Sequence, residues 1–117
     1  MITIHTQSRY KINKSRIKQL MDHLFVQYSI PVEYGINCVF VGKNKMKQIA
    51  SKYKKEKVAL PVLTFSYKND IHTTDPLLGE IFLCYPQIVL LAAQRNKKVE
   101  DMIDAMIKHG VENLLKG

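Results

Sequence analysis

Apolar residues along the chain follow two spacings, one typical of β-strands and one typical of α-helices. "MITIHT" alternates between apolar and polar residues, and "VEYGINCVFVG" is rich in β-branched and aromatic residues, so both are predicted to be strands. Between them, the apolar residues of "NKSRIKQLMDHLFVQYSI" recur every three or four positions, which predicts a helix. Asn13 is a suitable N-cap for that helix, and Pro31 is expected to end it.

The second half of the chain continues this alternation. "NKMKQIASKYKKEK" (44–57) is predicted to be an amphipathic helix, and "VLTFSY" and "GEIFLCY" two strands separated by a long polar stretch. Pro86 suits a first helical turn, so a helix is predicted to near Asn96, followed by another over "KKVEDMIDAMIKHGVENLL". The predicted order is β-α-β-α-β-β-α-α. We therefore expect a single α+β domain over residues 1–117, with helices packed on a mixed four-stranded sheet.

Composition narrows the class of protein. The hydrophobic fraction of 46% is that of a globular fold with a real core, and no apolar run is long enough to cross a bilayer. The N-terminal residues lack the apolar segment of a secretory signal, so a cytoplasmic protein is expected. Cys38 and Cys84 lie in apolar runs and are predicted to be buried thiols rather than a disulfide.

The charge of the chain favours an anionic partner. Eighteen Lys and Arg against ten Asp and Glu give a net charge of +8, which suits nucleic acid but also occurs in domains that merely carry a solvated basic face. Two basic clusters are candidates for contact with RNA phosphates, and Tyr53, inside the first cluster, is a candidate for stacking a base. The first cluster contains Lys52, Lys54, Lys55 and Lys57, and the second contains Arg95, Lys97 and Lys98.

The carboxylates give a weaker signal. Glu80 lies in an otherwise apolar strand and is either a polar anchor for something bound beside that strand or a solvent-facing residue. Asp101 and Asp104 share one face of the last helix and are predicted to pair with Lys97 and Lys108 at the surface. The sequence has no motif for a nucleophilic serine and no phosphate-binding glycine loop.

His109 and Asn113 stand four residues apart on the last predicted helix, at the spacing with which two histidines bind a metal ion. Asparagine is a poor zinc ligand, because a neutral amide oxygen competes weakly with imidazole. From the residues alone, a histidine placed favourably at a helix C-terminus is the simpler interpretation.

Three ordered stretches resemble a known family. "VLTFSY", "LLGEIFLCYPQ" and "IKHGVENLL" are similar to stretches of the YbeY family of ribosomal RNA maturation endoribonucleases, which read approximately D-V-L-S-F-P, G-D-I-x-I-C-P and H-G-x-L-H-L-x-G-Y-D-H. "FVGKNKMKQIASKYKKEK" also stands where that family has a strand and then a helix ending Y-R-x-K-D. The likeness covers roughly the last two-thirds of the chain.

The resemblance implies a metal-dependent endoribonuclease. Members are α+β domains whose last helix supplies three histidines to a zinc ion, and the metal activates water for cleavage of single-stranded RNA. It implies a role in maturation of the small-subunit ribosomal RNA. The expected partners are ribosomal RNA, the small ribosomal subunit and its proteins or assembly factors, with neither membrane nor DNA.

The chain departs from the family pattern at several positions. His109 and Gly110 match the first histidine and its glycine, whereas Asn113 replaces the second histidine and the third corresponds to a position after Gly117. Lys54 replaces an arginine and is the candidate catalytic residue, expected to contact substrate phosphate without the bidentate guanidinium fork.

The functional prediction therefore stays open between alternatives. His109 and Asn113 are the candidate metal positions of an rRNA endoribonuclease, or the chain is a YbeY-like protein that binds RNA or the ribosome without cutting. A shortened chain would explain the third histidine but not the internal Asn113, and docking onto a protein is a further alternative.

Overall fold

The computed structural model describes residues 2–54, 60–67 and 77–116, and these form four strands and four helices in the predicted order. The elements are β1 (Ile2–His5), α1 (Lys14–Gln27), β2 (Gly35–Val41), α2 (Lys43–Lys54), β3 (Val62–Ser66), β4 (Leu77–Cys84), α3 (Tyr85–Gln94) and α4 (Val99–Lys116). The predicted α+β class is confirmed. The predicted last turn of the second helix, residues 55–57, lies outside the described residues.

The strands form one mixed sheet in the order β1-β2-β4-β3. β1, β2 and β4 run parallel, and β3 runs antiparallel to β4. One row of paired residues crosses the sheet from Thr3 through Asn37 and Glu80 to Phe65. Because side chains alternate along each strand, all four residues of this row face the same side of the sheet.

The other side of the sheet carries the main core. Ile36, Cys38, Phe40, Ile81 and Leu83 are buried there against apolar residues of α1, α3 and α4. A smaller cluster on the opposite side joins α2 to the sheet, and its buried members are Val41, Met46, Ile49, Leu63 and Cys84. α2 and α4 therefore pack against opposite faces of the sheet. Removing this apolar surface from water is the main force that holds both layers.

Both cysteines are buried free thiols, as predicted. Burial raises the pKa of Cys38 to about 12 and raises the pKa of Cys84 above its usual range.

α1 begins as predicted and ends earlier than predicted. The side chain of Asn13 accepts a hydrogen bond from the backbone N–H of Arg16 at 3.1 Å, so Asn13 is the N-cap. The helix ends at Gln27, several residues before Pro31, because Ser29 adopts a left-handed conformation with φ of 54°. A left-handed residue stops the helix through its own backbone, without proline.

Two other boundaries differ from the predicted ones. Tyr85, predicted as the end of a strand, opens α3, and Pro86 lies in its first turn as expected. β2 begins at Gly35, later than the predicted start at Val32, which is exposed.

α4 packs closely on the sheet through two glycines. A Cβ atom at Gly110 would lie 2.9 Å from Cγ2 of Ile81, and a Cβ atom at Gly79 would overlap the backbone oxygen of Phe65 and the side chain of Leu114. These contacts fix the distance between α4 and the strands, and hence the position of the neighbouring His109.

Arg16 connects α1 to α4 through three carboxylates. Its guanidinium binds Glu100 at 2.7 Å, Asp101 at 2.8 Å and Asp104 at 2.8 Å. The hydrogen bonds to Asp101 and Asp104 raise the pKa of Arg16 above its ordinary value. The prediction that Lys97 and Lys108 pair with Asp101 and Asp104 is therefore wrong. Both aspartates pair instead with Arg16, which is distant in sequence.

Within the part of the chain that the structure describes, no helix combines the length and apolarity needed to span a membrane.

Candidate functional site

His109 lies at the surface of α4, in a groove between α4, α3 and the start of β3. The groove has a volume of about 610 Å³. Val62 and Leu91 contribute apolar lining, and Arg95, Lys108, His109 and Glu112 contribute the charged and polar groups. We call these six residues the His109 groove.

The His109 groove presents positive charge. Arg95 and Lys108 are exposed, as is His109 itself. The carboxylate of Glu112 accepts a hydrogen bond from the hydroxyl of Tyr28 at 2.7 Å, and this bond raises the pKa of Tyr28. Glu112 thus already accepts a hydrogen bond. The side chains that can contact an anionic ligand are those of Arg95, Lys108 and His109.

The donor atoms around His109 do not fit a zinc ion by themselves. Asn113 is half-buried one turn further along α4 and does not line the groove. Across residues 2–54, 60–67 and 77–116, no group of three His, Cys, Asp or Glu side chains lies close enough together to hold a metal ion. One imidazole and one neutral amide are too few and too weak for a tetrahedral zinc site.

The second predicted basic cluster divides between the His109 groove and the turn that follows α3. Arg95 is the C-cap of α3 and lines the groove. Lys97 and Lys98 are exposed in the turn before α4 and do not line it. Asn96 adopts a left-handed conformation, with a φ of 53°, and ends α3. The chain therefore changes direction between Arg95 and the two lysines.

The first predicted basic cluster lies on a different face of the molecule. Lys52, Tyr53 and Lys54 are at the end of α2, which packs on the face of the sheet opposite α4. Lys55 and Lys57 lie outside the described residues. The predicted catalytic Lys54 and the predicted metal position His109 therefore belong to helices on opposite sides of the sheet.

An aromatic groove surrounds Tyr53, and we define it by Tyr53, Phe65, Tyr67, Glu80 and Phe82. Tyr53 is 58% exposed as a residue, and its ring meets Phe65 edge to face, with 5.4 Å between ring centroids. Phe65 meets Phe82 in the same manner at 5.7 Å. The groove has a volume of about 390 Å³.

Charged groups border the aromatic groove. Lys45 lines it, and the Nζ atom of Lys52 lies 5.2 Å from the centroid of the Tyr53 ring. The hydroxyl of Tyr67 donates a hydrogen bond to Glu80 at 2.8 Å. Burial and this hydrogen bond raise the pKa of Tyr67 to about 12. Glu80 is thus half-buried and hydrogen-bonded within the groove, where it can act as a polar anchor.

Sequence reasoning identified Tyr53 but missed Phe65, Tyr67 and Phe82. Alternation within "LTFSY" already assigns Phe65 and Tyr67 to one face of a strand. Only the register that sets Phe65 opposite Glu80 brings β3 and β4 together into one groove.

Comparisons with known proteins agree on one family. The family model for "Endoribonuclease YbeY" matches residues 2–115. The Endoribonuclease YbeY of Phytoplasma australiense is 30% identical over 115 residues, which are 97% of this chain and 77% of that protein. That of Ureaplasma parvum serovar 3 is 28% identical over 105 residues, 90% of this chain and 67% of the relative.

The fold of a solved structure also matches. The solution structure of TM1509 from Thermotoga maritima superimposes with a TM-score of 0.63 at 20% sequence identity, and the match covers 97% of this chain and 71% of that one. At this level of identity, the likeness supports the fold.

Proposed function

The chain belongs to the Endoribonuclease YbeY family, and on that premise we propose that it acts on single-stranded RNA during maturation of the small-subunit ribosomal RNA. The family match over residues 2–115 is the observation that carries the proposal. The ribosomal partners that we propose are the small subunit, its RNA, and its proteins or assembly factors. We propose the cytoplasm as the place of action, where these partners meet.

The chemistry of the His109 groove supports contact with RNA. Arg95 and Lys108 are exposed cations that suit phosphate oxygens. His109 lies in the same groove, where an imidazole N–H can donate a hydrogen bond to a phosphate oxygen of a bound RNA. On the opposite face, Lys54 at the end of α2 is proposed to contact another phosphate of the same strand.

Zinc is the metal that the family resemblance implies. A bound zinc ion lowers the pKa of water and stabilises developing negative charge. In this chain His109 would be one ligand, but the described residues do not complete a site. We therefore assign no step of the reaction to the metal.

A second candidate function is RNA binding without cleavage. The specific observation in its favour is Asn113, which replaces a histidine of the family pattern inside α4. Such a protein would hold ribosomal RNA through the same cations and leave the phosphodiester intact.

One experiment separates the two functions. Protein purified without a histidine tag is analysed for metal content and incubated with a small-subunit rRNA fragment, alongside His109→Ala and the control His23→Ala, an exposed residue of α1. For an endoribonuclease we expect cleavage that is lost in His109→Ala and kept in His23→Ala. About one zinc per chain, lost in His109→Ala, would show that further groups complete a metal site around this residue.

The other outcomes are equally informative. RNA that is bound but not cleaved under any added divalent metal favours the binding function. An absence of both binding and cleavage by the wild-type chain contradicts both candidates.

A further inference from the structure

The face of the sheet that carries α2 holds a second candidate site. We propose that the aromatic groove binds an unpaired base of single-stranded RNA, with the base stacked on Tyr53 and its edge hydrogen-bonded to Glu80. This inference rests on the proposed function, because it takes RNA to be the ligand. It adds a base-recognition site that is separate from the His109 groove.

Tyr53 gives the groove an exposed aromatic surface. Tyr53 is 58% exposed although its ring is held in place by Phe65, and Phe65 is held in turn by Phe82. An exposed ring that packs against its neighbours loses little conformational entropy when a base stacks on it. Edge-to-face packing against Phe65 therefore holds the Tyr53 ring in one orientation.

A row of polar side chains lies beside these rings. Thr3, Asn37 and Glu80 are paired across β1, β2 and β4, and each is half-buried on the α2 face. Among the described residues, α2 packs on this face against a cluster that includes Val41, Leu63 and Cys84, and neither Thr3 nor Asn37 belongs to that cluster. Side-chain oxygens and an amide thus form a strip on which base edges can find hydrogen-bond partners.

Two lysines give the groove a charge that is complementary to RNA phosphates. Lys45 lines the groove and Lys52 lies over the Tyr53 ring, so both cations border the position of a stacked base. Among the ion pairs of the described residues, none involves either lysine. Both are therefore available to the phosphates on each side of that base. Lysine is depleted at protein interfaces, so this combination favours RNA over a protein partner.

The carboxylate of Glu80 gives the site a base preference. Its oxygens only accept hydrogen bonds, and one bond comes from Tyr67. A carboxylate can accept a further bond from the exocyclic amino group of cytosine, whereas uracil presents a carbonyl at the same position. We therefore expect oligocytidylate to bind more tightly than oligouridylate.

The test measures binding of labelled oligocytidylate and oligouridylate by fluorescence anisotropy, without any requirement for cleavage. Tyr53→Leu is expected to weaken binding roughly tenfold, because base stacking is lost, while Tyr53→Phe keeps the ring and binds like the wild type. Glu80→Gln is expected to remove most of the preference for cytidine, because an amide can also donate to the uracil carbonyl.

Controls keep the outcomes distinct. Lys45→Gln is compared with Lys18→Gln, an exposed residue of α1 on the opposite face, and thermal unfolding verifies that each variant is folded. RNA binding by the wild type that Tyr53→Leu leaves unchanged overturns this inference, while the proposed function stands. A wild type that binds neither oligonucleotide contradicts the proposed function and this inference together.

Discussion

The hydroxyl of Tyr67 donates a hydrogen bond to the carboxylate of Glu80 at 2.8 Å. The phenol therefore keeps its proton to a higher pH than an ordinary tyrosine does. Burial and the Glu80 hydrogen bond raise the pKa of Tyr67 from 10.0 to about 12. In the unfolded chain the phenol ionises near its ordinary pKa, whereas in the folded chain it stays neutral until about pH 12. The stabilising contribution of this pair is therefore fully present below pH 10 and is lost as the pH rises to about 12.

This shift predicts the alkaline titration of the protein. Phenolate absorbance should show a tyrosine that ionises near pH 12, and Tyr67→Phe should remove that step. Glu80→Gln should move the step to lower pH, because the carboxylate no longer opposes the phenolate charge. Tyr34→Phe serves as the control on another surface. A wild-type titration curve that differs from Tyr67→Phe only in amplitude near pH 10 would contradict the prediction.

The chemical identity of each candidate residue could be read from the sequence. Asn113 is a poor zinc ligand and Lys54 lacks the guanidinium fork in any fold. The partners of these residues could not be read in the same way. Glu112 is held by Tyr28 and Asp104 by Arg16, and in both cases the two residues are far apart in sequence. Such pairs follow from helix packing, which local spacing does not encode.

At the scale of helices, α1 and α3 end in the same backbone motif. The N–H of Ser29 donates to the carbonyl of Val26 and the N–H of Ile30 to that of Phe25, which closes α1 in a Schellman motif. The end of α3 repeats this pattern around Asn96, with a nearly identical φ angle. Ser29 is strained at positive φ, whereas asparagine tolerates this conformation better.

The two motifs therefore respond differently to glycine. Ser29→Gly should raise the free energy of unfolding by roughly 0.5–1 kcal/mol, because glycine removes the steric cost of the left-handed backbone and that gain exceeds the extra entropy of the unfolded chain. Asn96→Gly is the matched control and should change it less. Urea denaturation of the three proteins measures both effects. A lower urea midpoint for Ser29→Gly than for the wild type would contradict the assigned geometry.

Periodicity predicted the order of the elements because each helix and strand buries one face. The early end of α1 was missed because a left-handed serine leaves no signature as strong as proline. The apolar run of β4 continues into the first turn of α3 without a polar break, so the sequence pattern places Tyr85 in a strand. Strand order and register could not be predicted from periodicity either, because they depend on how the strands and helices pack together.

At the scale of the whole molecule, the sheet separates two sets of candidate residues. The His109 groove lies on the α4 side, and Lys52, Tyr53 and the aromatic groove lie on the α2 side. The family resemblance predicted His109 and Lys54 as parts of one site, and the structure places these residues on α4 and α2. The resemblance did not reveal that α2 and α4 pack on opposite faces of the sheet. That arrangement depends on the strand order, in which β3 lies at the edge beside β4.

The His109 groove and the aromatic groove both include residues of β3, so a strand of RNA that contacts both sides can pass the sheet edge that β3 forms. Cations on the two faces would then bind phosphates of one ligand, and the net charge of +8 would favour its approach. This arrangement predicts a steep decrease of RNA affinity with salt. For single strands, the slope of log affinity against log salt is about −0.7 for each phosphate neutralised.

Variants on the two faces provide the test of this arrangement. Lys52→Gln and Arg95→Gln should each reduce the magnitude of the slope by about 0.7, and the double variant should reduce it by about the sum, because the residues neutralise different phosphates. Lys18→Gln, on the exposed side of α1, is the control and should leave the slope unchanged. Affinity measured across a salt series separates the possibilities. If only one of the two substitutions changes the slope, RNA follows a single face of the sheet, and the other basic cluster is a solvated surface.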